Sequence, residues 1–319
     1  MLSYICDAVI LPFLSLSIAA LGLTVVTGRA GQLSLGTGAF MAIGAFAAYD
    51  LDAYVPGTPQ LVSLLFGGLV AAASGLVVGL PSLRLRGFYL AVTTLAAQFL
   101  VPWLLTNIGW FSLDDPSGVL SAPVLKIGSF AFDTPVARAG FAAGVVAVLT
   151  AVLLRLSRTK AGRDWIAVRD METAATVVGV PVLRTKLTAF AISSFFCGVA
   201  GVLWAFAYLR TVEPAGFDLN LSFRILFIVI IGGAGSFVGA FFGTAFMVAM
   251  PLLLSRLADY IGGGVIDSGQ LANIEKMLIG GLIVLILIRE PDGLSALLRP
   301  RQATRKLSLS KSLSQEIVS

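Results

Sequence analysis

Histidine is absent from all 319 residues, and charge of either sign is scarce at 12%, against about 25% in a soluble domain. The first absence removes imidazole as general base, metal ligand or proton relay. The second removes a soluble globular fold. The chain is 57% hydrophobic, and its charge-free runs of about 20 residues suffice to cross a hydrocarbon core of about 30 Å. The cysteines, Cys6 and Cys197, stand far apart in or beside apolar runs, which argues for core filling rather than a disulfide or metal site. No GxxxxGK[ST] run occurs, so the chain carries no phosphate loop. Nucleophile–base sets and paired carboxylates are missing too, which argues against an enzyme. Ten-residue alternation, the mark of a membrane barrel, is also lacking. Met1–Asp7 has no basic residue, so no cleavable signal peptide is expected.

What is present points to an all-α, polytopic transmembrane bundle of about eight to ten spans. Hydropathy places spans at 9–27, 36–49, 61–80, 88–108, 137–154, 187–209, 223–235, 237–254 and 274–288. Two of these, 36–49 and 223–235, are short enough to be half-helices. None of the nine carries a charged residue in its interior, which argues against a proton-driven carrier. A single permease domain is expected over 1–295. The Ser-rich, basic segment 296–319 reads as a disordered tail facing anionic lipid.

Orientation follows from Lys and Arg. The segments 28–35, 81–87, 155–186 and the C-terminal stretch from Arg289 hold 16 of the 22 basic residues. Such asymmetry marks the cytoplasmic side, and nine crossings then put the N-terminus outside. The net charge of +5 thus reflects topology and not a nucleic-acid partner.

The longest polar interruption is RLSRTKAGRDWIAVRDMETAATVVGVPVLRTK at 155–186, in which seven residues are basic. Wound at 100° per residue, Trp165, Val168, Met171, Ala175 and Val178 share one arc, while Arg163, Arg169, Asp170, Thr173 and Thr176 share the other. One amphipathic helix, stopped by Gly179 and Pro181, is expected here. Its Glu172-x-Ala174-Ala175-x-x-x-Gly179 spacing resembles the EAA signature of ABC importer permeases.

Further stretches carry a wider resemblance. TGRAGQLSLGTGAFMAIGAF at 27–46, PSLRLRGFYLAVTTLAAQF at 81–99, the run from Gly162, FIVIIGGAGSFVGAFFGTAF at 227–246 and IREPDGL at 288–294 are together similar to LivM-type permeases of branched-chain amino acid ABC importers. The resemblance implies a subunit of the bacterial inner membrane that binds no cofactor itself. ATP and Mg²⁺ are used by two cytoplasmic ATP-binding partners. A homologous second permease subunit, LivH-type, and a periplasmic solute-binding protein complete the assembly. Arg163, Trp165, Arg169, Glu172, Ala174, Ala175 and Gly179 would then couple to the ATPases.

Neutral polar residues mark the expected substrate path: Gln32, Ser34, Thr37, Thr93, Thr94 and Gln98. Gly232, Gly233 and Gly235 are expected to break a helix and open backbone groups to a cavity. Gly235, Gly239 and Gly243 fit a close-packing stripe. The family often has histidine where Thr37 stands, glutamate near Gln98, and a TGG-x-x-G turn where this chain has Asp114-Asp115-Pro116-Ser117-Gly118. Related permeases move urea, short amides or other small organic acids, which keeps such a solute as an alternative substrate.

Overall fold

The computed structural model describes residues 2–82, 89–108, 119–123, 125–127 and 130–262, with 273–274, 277–278 and 280–281. It is a helical bundle. Helix α1 (Ser3–Arg29) has a regular centre, Leu11–Leu23, between π-helical turns at Cys6–Ile10 and Thr24–Arg29. Then come α2 (Thr37–Tyr54), α3 (Gln60–Ser82), α4 (Tyr89–Asn107) and α5 (Pro135–Ser157). Two short helices follow, α6 (Lys160–Asp170) and α7 (Glu172–Val177). Helix α8 (Val182–Leu203) ends in a π-helical turn at Trp204–Leu209, and α9 (Leu219–Gly232) and α10 (Phe237–Gly262) complete the described bundle.

Local signals set the helix ends. Thr134 caps α5 by accepting the Ala137 N–H at 3.3 Å, with Pro135 at the first helical position. Asp218 caps α9 by accepting from Leu221 N at 2.9 Å. Gly233, at φ 102°, stops that helix in a backbone state that side-chain-bearing residues avoid.

Seven segments are long and apolar enough to cross a membrane: α1, α3, α4, α5, α8, α9 with its leading turn from Pro214, and α10. Helix α2 has 18 residues, about 27 Å at 1.5 Å per residue. It falls short of a hydrocarbon core of about 30 Å and is not among the seven. Most of the expected last span, 274–288, lies outside the described residues, as do the 81–87 loop beyond Ser82 and the tail.

The helices run beyond the expected spans and take in charged residues. Asp7 lies in α1, Asp50 and Asp52 in α2, Arg138 in α5 and Arg224 in α9. A hydrogen-bonded helix continues past the point where hydropathy falls. Arg138 is buried. It donates to Asp7 at 3.0 Å and to the Ala207 carbonyl, joining the ends of α1, α5 and α8. Asp50 is buried as well.

The bundle centres on glycines. Gly44 of α2, Gly67 of α3 and Gly198 and Gly201 of α8 meet so closely that a Cβ on Gly44 would overlap the Gly198 backbone, and one on Gly201 would overlap Met41. Lipid supplies no hydrophobic drive between helices, so backbone approach and dispersion hold such contacts. Gly239 and Gly243 of α10 likewise abut Gly232 and Ile228 of α9, whereas Gly235 sits in the turn and contributes nothing to that stripe.

Loops gather at two ends. At one, called here the basic face, the α1–α2 segment, the α6–α7 loop and the α9–α10 turn touch: Arg169 donates to Gly28 O, and the Arg29 guanidinium lies 4.4 Å over the Phe237 ring. At the other, strand β1 (Leu120–Ser121) pairs antiparallel with a later strand (Thr211–Val212). A small hairpin, Lys126–Ile127 with Phe130–Ala131, lies between them in sequence.

Candidate functional site

Between α1 and α2 the chain abandons helix. From Ala30 to Gly36 it runs irregularly, with Gln32, Ser34 and Gly36 buried and Gly31 and Leu33 exposed. This alternation of period two is what an extended strand imposes. Both polar atoms of the buried Gln32 amide lack a hydrogen-bond partner among the described residues. A buried donor and acceptor left open costs about 1–3 kcal/mol each.

The segment delivers the start of α2 into the protein interior, where its first N–H groups have no helical acceptors. Side chains from other helices supply them. Gly38 N donates to Ser222 Oγ at 2.8 Å, and Ala39 N donates to Gln98 Oε1 at 2.8 Å. Ser222 Oγ donates in turn to Gln98 Oε1 at 2.9 Å, and Gln98 Nε2 donates to the Phe217 carbonyl at 2.8 Å. One turn earlier on α4, Thr94 Oγ1 accepts from Leu35 N at 2.9 Å. Thr94, Gln98, Ser222 and the α2 N-terminus thus form one buried, uncharged junction.

Among the residues expected on the path, Thr94 and Gln98 meet here, and Thr37 stands buried at the first position of α2. Thr93 is not part of the junction, for its hydroxyl bonds back to Tyr89 O. Gly232, Gly233 and Gly235 lie at the basic-face turn between α9 and α10, where Gly232 packs on Gly239. They open no helix in mid-bundle. Ser222 and the Phe217 carbonyl escaped the sequence reading, because a lone serine after a charged loop carries no period or motif.

The 155–186 loop is two helices and not one. Met171 is extended, at φ −157° and ψ 96°, and breaks the helix between α6 and α7. The break splits the expected apolar arc. Trp165 is fully buried, its Nε1 3.4 Å from Thr188 Oγ1, and Val168 and Ala175 are buried too. Met171, Val177 and Val178 turn outward, 61%, 88% and 83% exposed. Ala174 and Gly179 share this exposed cap. Gly179, at φ 87°, has open space where a Cβ would stand.

The loop is fastened on its inner side. Lys186 of α8 donates to Glu172 at 2.7 Å. Arg169 is oriented by Asp170, to which its Nε donates at 2.9 Å, and its Nη1 donates to Gly28 O at 2.8 Å. Arg163 is exposed and, among the described residues, reaches only Arg158 O, at 3.4 Å. So Trp165, Ala175, Glu172 and Arg169 hold the loop to its own chain, while Ala174 and Gly179 stay on the free surface. Val177, absent from the sequence-based set, joins them.

Residues 5–287 match the profile of a family described as the branched-chain amino acid transport system / permease component. The high-affinity branched-chain amino acid transport system permease protein LivM of Salmonella typhimurium is 34% identical over 307 residues, covering 89% of this chain and 68% of that protein. LivM of Escherichia coli matches at the same identity and coverage. The autoinducer 2 import system permease protein LsrC of an Enterobacter species is 30% identical over 64% of this chain and 59% of its own length. No solved structure matches.

Proposed function

Because the chain belongs to the branched-chain amino acid transport permease family, we propose that it forms the membrane path of an ATP-driven importer for branched-chain or similar amino acids. Two ATP-binding subunits, which use ATP and Mg²⁺, dock on the basic face. A homologous second permease subunit completes the path, and a periplasmic solute-binding protein delivers the solute. The basic face is then cytoplasmic, and the N-terminus lies outside the bacterial inner membrane.

One observation carries this reading: the exposed apolar cap of Met171, Val177 and Val178 on a loop whose other side is pinned to the bundle. A rigidly held apolar knob at the basic face suits insertion into a partner's cleft. With charges now found inside the helices, ATP dependence rests on family membership and this knob.

Co-expression with the neighbouring ATPase genes tests it. Val177→Asp and Gly179→Trp should insert normally and lose ATPase co-purification by more than tenfold, since disrupting an interface anchor costs above about 2 kcal/mol. Thr173→Lys, beside the cap, should change little. Full retention in the first two variants would sink the docking role. Uptake should persist when the proton gradient is collapsed with ATP maintained; its loss would favour a secondary transporter. For orientation, on a background without Cys6 and Cys197, cysteines at Asp52 and Asp133 should label from outside intact cells and one at Lys160 should not. Labelling at 160 would reverse the assigned sides.

A second solute class draws on the junction itself. Thr94, Gln98 and Ser222 present no charge around the α2 N-terminus, which suits urea or a short amide as well as a zwitterion. Competition between labelled leucine and unlabelled urea for uptake separates the two.

A further inference from the structure

We propose that Arg169 is a positioning residue that ties the α6–α7 loop to the Ala30–Gly36 segment and, through it, to the buried junction of α2, α4 and α9. The proposal rests on the reading that an ATPase grips the cap, and it assigns Arg169 a role directed into its own chain.

The contacts form an unbroken series. Asp170 holds the guanidinium from the loop side, with Nη2 2.8 Å from Oδ1. Nη1 reaches the Gly28 carbonyl at 2.8 Å. Gly31, at φ 67°, gives the arginine stem its room: a Cβ there would stand 2.8 Å from Arg169 Cγ. On its other side Gly28 is pressed against Ala234 of the α9–α10 turn, where a Cβ would overlap the Ala234 carbonyl. The start of the segment is therefore clamped between the loop and that turn.

The far end is equally fixed. Leu35 N donates to Thr94 Oγ1, and a Cβ on Gly36 would stand 2.6 Å from Thr94 O. Gly38 and Ala39 then engage Ser222 and Gln98. Between the clamps the alternate residues Gln32 and Ser34 are buried, which anchors the segment against the bundle from Gly28 to Gly36. Guanidinium chemistry suits this tie. Its planar fork of five donors serves a carboxylate and a carbonyl together, whereas an ammonium is a single point charge without that geometry. Arg29, close enough to repel Arg169, is held over Phe237 instead.

The test uses the assembled transporter in nanodiscs with its ATPases, comparing Arg169→Met, Arg169→Lys and Asp170→Asn with the parent chain. Two quantities are read: solute moved per ATP hydrolysed, and the nucleotide response of a fluorophore on Leu33→Cys, an exposed site in the segment. Arg169→Met should lower solute per ATP at least tenfold and abolish the Leu33 response while the ATPases still co-purify. Arg169→Lys should recover part of both, and Asp170→Asn should lower the ratio about threefold. An unchanged ratio and probe response in Arg169→Met would overturn the proposal. If Arg169→Met fails to assemble, Asp170→Asn decides alone, and parent-like values there overturn it. Failure of the ATPases to join the parent chain would sink the importer reading instead, an outcome distinct from coupled transport by the variants.

Discussion

Helices α1 and α8 have 83% of their apolar windows buried within the chain, whereas α3, α4 and α5 each have 33%. Hydropathy does not separate the two groups, since the mostly open α3 is more apolar than the buried α8. Residue size does. Ala19, Ala20 and Gly22 of α1, and Gly198, Ala200 and Gly201 of α8, let neighbours approach at backbone distance. Leu69 and Val77 of α3 face outward. In a membrane, apolarity says that a helix is inside the bilayer, and small residues packed against a neighbouring backbone say that it is inside the protein.

The sharpest way to break this contrast is to enlarge a central glycine. Gly201→Leu should drive side-chain atoms into the Met41 backbone and cost more than about 3 kcal/mol, as severe overpacking does. Thermal unfolding in detergent, with yield of monodisperse protein, reads that loss; a stable variant would show that the close approach is not needed. Next comes the polar junction. Gln98→Leu removes the partners of Ala39 N and Phe217 O together, for about 2–6 kcal/mol at about 1–3 per stranded group. Gln98→Glu should cost less if a carboxylate oxygen still accepts from Ala39.

Gly179→Ala tests backbone conformation without crowding, because nothing lies within 4 Å of the added Cβ. A left-handed residue bearing a side chain costs about 1–2 kcal/mol. Hydrogen exchange should therefore quicken at Val178–Val180 while the membrane helices stay unchanged; equal exchange would remove φ as the reason for glycine there. The smallest effect belongs to the rim. Val77→Ala, at a position 74% exposed, should shift stability by less than about 0.5 kcal/mol. A large loss would reveal a partner subunit covering that side of α3, an interface invisible in a single chain.

Much of the bundle was legible beforehand. Charge-free runs placed most of the helices to within a few residues, and ordered motifs placed the family. Errors fell where one chain position answers to several others. The single helix expected over 162–181 breaks at the extended Met171, so that Trp165 and Ala175 stay buried while Met171 and Val178, from the same expected arc, turn outward. Asp50 and Arg138 were read as loop or boundary residues, since a linear profile cannot see that Arg138 finds Asp7 131 positions away. Of the residues expected on the path, Thr94 and Gln98 meet at the buried junction, but their partners Ser222 and Phe217 were not among those expected. A hydrogen bond spanning 124 residues leaves no mark on local spacing.

By itself, the sequence determined that this chain lives in a bilayer, how its loops divide between two faces, and to which permease family it belongs. Each is a sum over residues: hydrophobic length, the count of Lys and Arg, the order of short motifs. Tertiary structure alone decided which helices form the centre, which face of the 155–186 loop is free, and that the interior start of α2 is capped from α4 and α9. Those depend on pairwise geometry, because a buried N–H needs an acceptor at about 2.9 Å, and the chain alone does not state which distant residue will stand there.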